Sequence, residues 1–90
     1  MQLTGEIKII GQTKHVSDNL SVREFTLIVD KSGAYPQYIQ LQMINSRGDI
    51  LSQYKVGDNI VADVNVKGRM APTGDKAFNS LEAWKINKAG

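Results

Sequence analysis

Few side chains in this 90-residue chain could do covalent chemistry. His15 is the sole histidine and there is no cysteine, which excludes a thiolate nucleophile, a thiolate metal site and disulfides. A serine hydrolase would need His15 as its base, yet His15 stands beside Lys14 in a polar stretch with the character of a solvated loop. Carboxylates are spread singly along the chain, without the spacing of an acid–base pair or a metal site. Neither a Gly-x-Gly-x-x-Gly fingerprint nor a phosphate-binding P-loop occurs. The chain reads as a non-enzyme with no metal and no cofactor.

Noncovalent recognition has more to work with. Tyr38, Gln40 and Gln42 fall at two-residue spacing in an alternating segment, so one ring and two amides share a face. Tyr35, just upstream, offers a second ring. Lys67, Arg69 and Lys76 gather around a breaker-rich loop against the single anion Asp75, and Lys14 adds a fourth cation from another loop. Rings that stack on bases and cations that track phosphates are the equipment for holding a single-stranded nucleic acid. Each stacked base contributes roughly 1–3 kcal/mol, so two rings and a few cations give weak-to-moderate affinity per chain. Cooperative or oligomeric binding would supply the rest. Blander readings compete: Tyr38 as an ordinary strand tyrosine at a protein contact, and the basic loop as a solvated surface. Glu24, on the outer face of the preceding strand, opposes an anionic ligand lying there. Trp84 is assigned to the core or an interface, because Ile86 shares its phase.

Five strands and one short helix must position these groups. Leu3–Ile10 alternates with Leu3, Ile7 and Ile9 facing one way, interrupted by Gly5, which marks a bulge or a bend. Gly11–Ser21 is polar and turn-forming, either a plain connection or a long hairpin arm. In Val22–Val29 the residues Phe25, Leu27 and Val29 are core, whereas Glu24, Thr26 and Ile28 face out. Asp30–Ala34 turns the chain, and Tyr35-Pro36 enters the third strand extended. There Ile39, Leu41 and Met43 point inward, which turns Tyr38 and the glutamines outward.

Ser46–Tyr54 has the length of one helix, with Ser46 or Asp49 as N-cap and Ile50, Leu51 and Tyr54 as its apolar side. So short a helix is marginal alone and is expected to plug the open end of a barrel. Gly57 supplies the positive φ of a Val-Gly-Asp reversal. The fourth strand then places Ile60, Ala62, Val64 and Val66 on one face, and Gly68–Lys76 forms a hairpin loop. The fifth strand, Ala77–Ile86, alternates imperfectly, which either a bulge near Ala83 or a strand end buried on both faces would reconcile. Lys88–Gly90 is expected to fray.

Composition supports a small folded unit. The hydrophobic fraction of 41% and charged fraction of 22% are those of a globular chain, and residues 1–90 have room for one core. The net charge of +2 is carried by the second half, since residues 1–45 hold as many anions as cations. The start lacks a basic, apolar signal segment and no run is long enough to span a membrane, so a cytoplasmic protein is expected.

Leu3-Thr4-Gly5-Glu6-Ile7, Arg23-Glu24-Phe25-Thr26-Leu27, Tyr54-Lys55-Val56-Gly57-Asp58 and Leu81-Glu82-Ala83-Trp84-Lys85-Ile86, in that order, resemble a small bacterial OB-fold family. That family is itself similar to the single-stranded DNA-binding (SSB) proteins. The resemblance covers nearly the whole chain and implies an all-β fold with a small helical element: a five-stranded OB-fold barrel with one short helix between strands 3 and 4. It further implies oligomerisation and binding of single-stranded DNA. The chain departs from typical bacterial SSBs in lacking an acidic C-terminal tail, so partner recruitment through such a tail is not expected.

The resulting expectation is a single OB-fold domain, a homo-oligomer that binds single-stranded DNA without strong sequence preference. RNA is not distinguished from DNA by these residues. Tyr38 and Tyr35 would stack, Gln40 and Gln42 make polar contacts, and Lys67, Arg69, Lys76 and Lys14 neutralise phosphates. The rival is an assembly module with no nucleic-acid affinity that uses Tyr38, Ile28 or Trp84 as its interface. An oligosaccharide-binding domain is a third reading, disfavoured by the basic loop.

Overall fold

The computed structural model describes residues 1–89. Its elements are β1 (Gln2–Ser17), β2 (Leu20–Val29), β3 (Gln37–Ile44), a 3-10 helix (Asn45–Gln53), β4 (Asn59–Met70) and β5 (Ala77–Lys88). The strands close into a barrel in the order β1-β2-β3-β5-β4, so the five-stranded OB-fold barrel with a short helix after the third strand is borne out.

Closure depends on β1 serving two neighbours. Gln2–Glu6 pairs with β4, and Glu6–Ser17 pairs with β2. Gly5 lies just before the changeover, and a Cβ there would stand 2.5 Å from the carbonyl oxygen of Ile28. Only a residue without a side chain lets the two backbones approach that closely. Close by, where its N–H donates to Ile7 O at 2.9 Å, Gly57 takes φ +99°, as the reversal before β4 requires.

Alternation places the core where the sequence indicates. Phe25 and Leu27 of β2, Leu41 and Met43 of β3, and Ile60, Ala62 and Val64 of β4 are all buried, and Ile39 packs against them. Ile7, Leu51, Ala83 and Ile86 complete the cluster. Leu51 is fully buried and closes one end of the barrel, which contributes about 1.5–3 kcal/mol of apolar transfer.

The helix differs from expectation in its geometry. Neither Ser46 nor Asp49 caps it; Ile44 occupies that position with no side-chain hydrogen bond. Asn45, Ser46, Gly48, Asp49 and Ser52 favour local turns over α-helix, and the segment winds as 3-10 throughout. Arg23 ties it down, donating to Gly48 O (3.3 Å), Ser52 Oγ (3.0 Å) and, across in β1, Gly11 O (2.9 Å). Tyr54 follows the helix and packs on the core as a packing residue.

Four inward or outward assignments change. The register of β1 on β2 shifts between Ile7 and Ile9, so the extra residue Lys8 inverts the phase. Ile10 then packs on the core, and Ile9 turns outward opposite Thr26, 56% exposed. Ile28 is buried rather than outward: Glu6 and Tyr38 flank it in the same row, and the Glu6–Lys31 ion pair (2.8 Å) holds the β2–β3 loop beside it. Val66 is exposed, since β4 by then has left the barrel. Trp84 is not core: the bulge that pairs Asp63 with Lys85 but Val64 with Ala83 leaves Trp84 as the surplus residue, exposed beside buried Ile86.

Strand ends move too. Gly11–Ser21 is a hairpin arm rather than a loose connection, with β1 and β2 paired up to Ser17 and Leu20. β4 runs on to Met70, so Lys67 and Arg69 lie on a strand and the loop proper is 71–76. Lys88 belongs to β5 and the Ala89 N–H donates to Asn59 O at 2.9 Å, so these two residues are held; Gly90 lies outside the described residues.

Candidate nucleic-acid interface

β3 and β5 meet in parallel at one pair only, Gln42 with Glu82. The barrel wall therefore opens along this seam, and the hollow continues up the base of the β4–β5 hairpin. One part is lined by Gln42, Lys67, Gly68, Arg69, Phe78, Asn79 and Ser80. The adjoining part shares Gln42, Asn79 and Ser80 with it and adds Glu24, Gln40, Leu41 and Leu81. Register explains the membership. Lys67 pairs with Ser80 and Arg69 with Phe78, so these four share the outer face of the hairpin.

The upper end carries positive charge on an aromatic ring. The Arg69 guanidinium lies 5.8 Å and the Lys76 ammonium 5.2 Å from the Phe78 ring centroid. Both distances are within cation–π range, and Arg69 and Lys76 make no ion pair among the described residues. The ring is 46% exposed, so an edge or face remains for a ligand.

The lower end is different. Glu24 of β2, Gln42 of β3 and Glu82 of β5 form one row across three strands. Lys14 Nζ approaches Glu24 at 3.3 Å, Gln40 Nε2 donates to the same carboxylate, and Lys67 Nζ stands 3.3 Å from Glu82. Two of the four expected cations are thus engaged by carboxylates in the fold. The Lys14–Glu24 pair is exposed and contributes about 1 kcal/mol or less, whereas only 14% of the Glu82 side chain in the Lys67 pair is exposed.

Of the expected residues, Gln40, Gln42, Lys67 and Arg69 line the hollow, with Lys76 joined through Phe78 and Lys14 through Glu24. Tyr38 and Tyr35 do not. Both are well exposed, Tyr38 on the outer face of β3 and Tyr35 in the loop before it. Tyr38 stands four residues from Gln42, about 13 Å along the strand. Sequence reasoning missed Phe78, Asn79 and Ser80. The hairpin pairing that sets Phe78 opposite Arg69 is the available signal, and a loop assignment for Gly68–Lys76 conceals it. Among the described residues no group of three or more His, Cys, Asp or Glu could hold a metal ion, and no helix is long and apolar enough to cross a membrane.

Comparison with known proteins agrees with this architecture. A family model described as "Domain of unknown function (DUF3127)" matches residues 2–87. No curated protein matches the chain. The crystal structure of the wild-type single-stranded DNA binding protein from Thermus aquaticus superposes with a TM-score of 0.74 at 15% identity, over 99% of this chain and 48% of that one. The mitochondrial single-stranded DNA binding protein Rim1 of S. cerevisiae gives a TM-score of 0.65 at 19% identity, over 98% of this chain and 91% of that one. The chain spans about half the length of the Thermus protein and nearly all of the yeast one. At these identities the likeness establishes the fold, an SSB-like OB barrel.

Proposed function

The chain belongs to the DUF3127 family, and we propose that it binds single-stranded DNA through the β3–β5 seam and the two hairpin arms. The observation that carries this reading is the Phe78 ring, with Arg69 and Lys76 both within cation–π distance, lining a hollow together with Gln42, Asn79 and Ser80. A ring for stacking next to free cations for phosphates is what a single strand needs. The fold supports it, because solved proteins of the same architecture are single-stranded DNA binding proteins.

Phe78, Tyr38 and Tyr35 would stack bases, Gln40 and Gln42 would meet base edges, and Arg69, Lys76, Lys67 and Lys14 would neutralise phosphates. Binding has no strong sequence preference, since stacking accepts every base. One chain offers a short track, so a homo-oligomer would lengthen it, in replication, recombination or mobile-element DNA metabolism.

A titration of a fluorescent oligonucleotide at about 50 and about 200 mM salt tests the proposal. Counterion release from a single strand gives a slope near −0.7 per phosphate contact. Arg69 and Lys76 alone predict about a sevenfold loss over that range, and all four cations about a fiftyfold loss. Changing Lys67 and Arg69 to Glu should abolish binding at both salts. No binding to any single strand at low salt ends the proposal. It leaves the rival reading, an assembly module, which Ile9 and Trp84 favour as large apolar groups exposed on the barrel surface.

A further inference from the structure

The charge along the seam is divided: cations stand on the hairpin arms and carboxylates lie on the floor. Glu24 and Glu82 flank Gln42 in one row, with Glu24 facing the hollow beside Gln40, Gln42, Asn79 and Ser80. A strand crossing here with its phosphates down would meet carboxylates whose partners Lys14 and Lys67 are already engaged, whereas phosphates turned to Arg69 and Lys76 meet cations that make no ion pair among the described residues. The favoured pose therefore lays bases, not backbone, over the floor.

An ionised carboxylate only accepts hydrogen bonds, with about four lone-pair positions. Lys14 Nζ and Gln40 Nε2 occupy part of that capacity at Glu24, and its side chain remains 37% exposed. Cytosine presents an N4 amino donor, which carboxylates accept; thymine presents the O4 acceptor and a methyl group instead. Resting on the binding role proposed above, we infer that Glu24 is a base-reading residue, which tilts the site toward amino-bearing bases, cytosine foremost, and against thymine. Stacking at Phe78 is blind to this difference, so the bias is modest and belongs to the floor alone.

The test compares oligo(dC) with oligo(dT) of equal length by competition anisotropy, on the wild-type chain and on Glu24→Gln. The two homopolymers differ in their own stacking and flexibility, so the change in their affinity ratio between the two proteins is the readout. The dC-to-dT ratio should be roughly fivefold higher in wild type than in E24Q, with oligo(dT) gaining affinity in the variant as the negative charge is removed. Thermal melting of both proteins checks that the half-exposed, isosteric replacement leaves the barrel folded. An equal ratio in the two proteins overturns the inference and leaves the binding role standing. Failure of both homopolymers to bind wild type overturns both.

Discussion

Replacing Phe78 with alanine removes the ring on which the upper end of the seam is built and leaves every charge in place. A base stacked on an aromatic side chain contributes about 1–3 kcal/mol, so the variant should bind a single strand about 5- to 150-fold more weakly. The ring also holds Arg69 and Lys76 at 5.8 and 5.2 Å, contacts worth about 0.5–1 kcal/mol each at an exposed site. Freed from it, both cations keep their charge and can still follow phosphates. The salt dependence should therefore stay near the wild-type slope while the affinity falls at every salt concentration. That combination separates loss of stacking from loss of electrostatics. Folding should be little affected, because Phe78 is 46% exposed and lies outside the buried cluster. Fluorescence anisotropy at four or five salt concentrations, alongside a urea melt, measures all three quantities. Phe78→Trp should keep the affinity. Wild-type affinity in Phe78→Ala, together with a large loss in Tyr38→Ala, would refute the reasoning and move the stacking platform to β3.

Removing Arg69 and Lys76 together, each to alanine, should do the converse: the magnitude of the log–log salt slope falls by about 1.4, read by the same titration. An unchanged slope would mean that neither touches a phosphate. Arg23→Met deletes three hydrogen bonds that join β1, β2 and the 3-10 helix, and should cost about 2 kcal/mol, seen as a lower urea midpoint at constant m-value. Gly5→Ala drives a Cβ onto the Ile28 carbonyl, with backbone on both sides of the clash. It should destabilise by about 1–3 kcal/mol and lower the thermal midpoint by about 4–8 °C for each kcal/mol. A midpoint within a degree of wild type would show that the barrel relaxes there.

Local rules read out of the chain whatever depends on neighbours in sequence. The two-residue period placed Phe25 and Leu27, Leu41 and Met43, and Ile60, Ala62 and Val64 in the core, because a strand buried on one face admits one parity. Gly57 announced a positive φ, and the broken alternation of β5 admitted a bulge next to Ala83, one of two readings it allowed. The order of the strands and the helix, with the resemblance, pointed to the barrel.

What the tertiary structure decided are the relations between strands far apart in sequence. One surplus residue in β1 turned Ile9 from core to surface, and flanking neighbours on β1 and β3 took Ile28 the other way. Parity cannot foresee either, since a bulge depends on how two strands twist together and burial depends on what arrives from elsewhere. The pairing of Gln42 with Glu82, which completes the row begun by Glu24, comes from closure of the barrel, whereas the approach of Phe78 to Arg69 and Lys76 is set within the β4–β5 hairpin. The sequence by itself therefore determined the kind of wall this chain builds. Only the closed barrel, by fixing which outward side chains stand across the seam from one another, decided where a ligand would meet it.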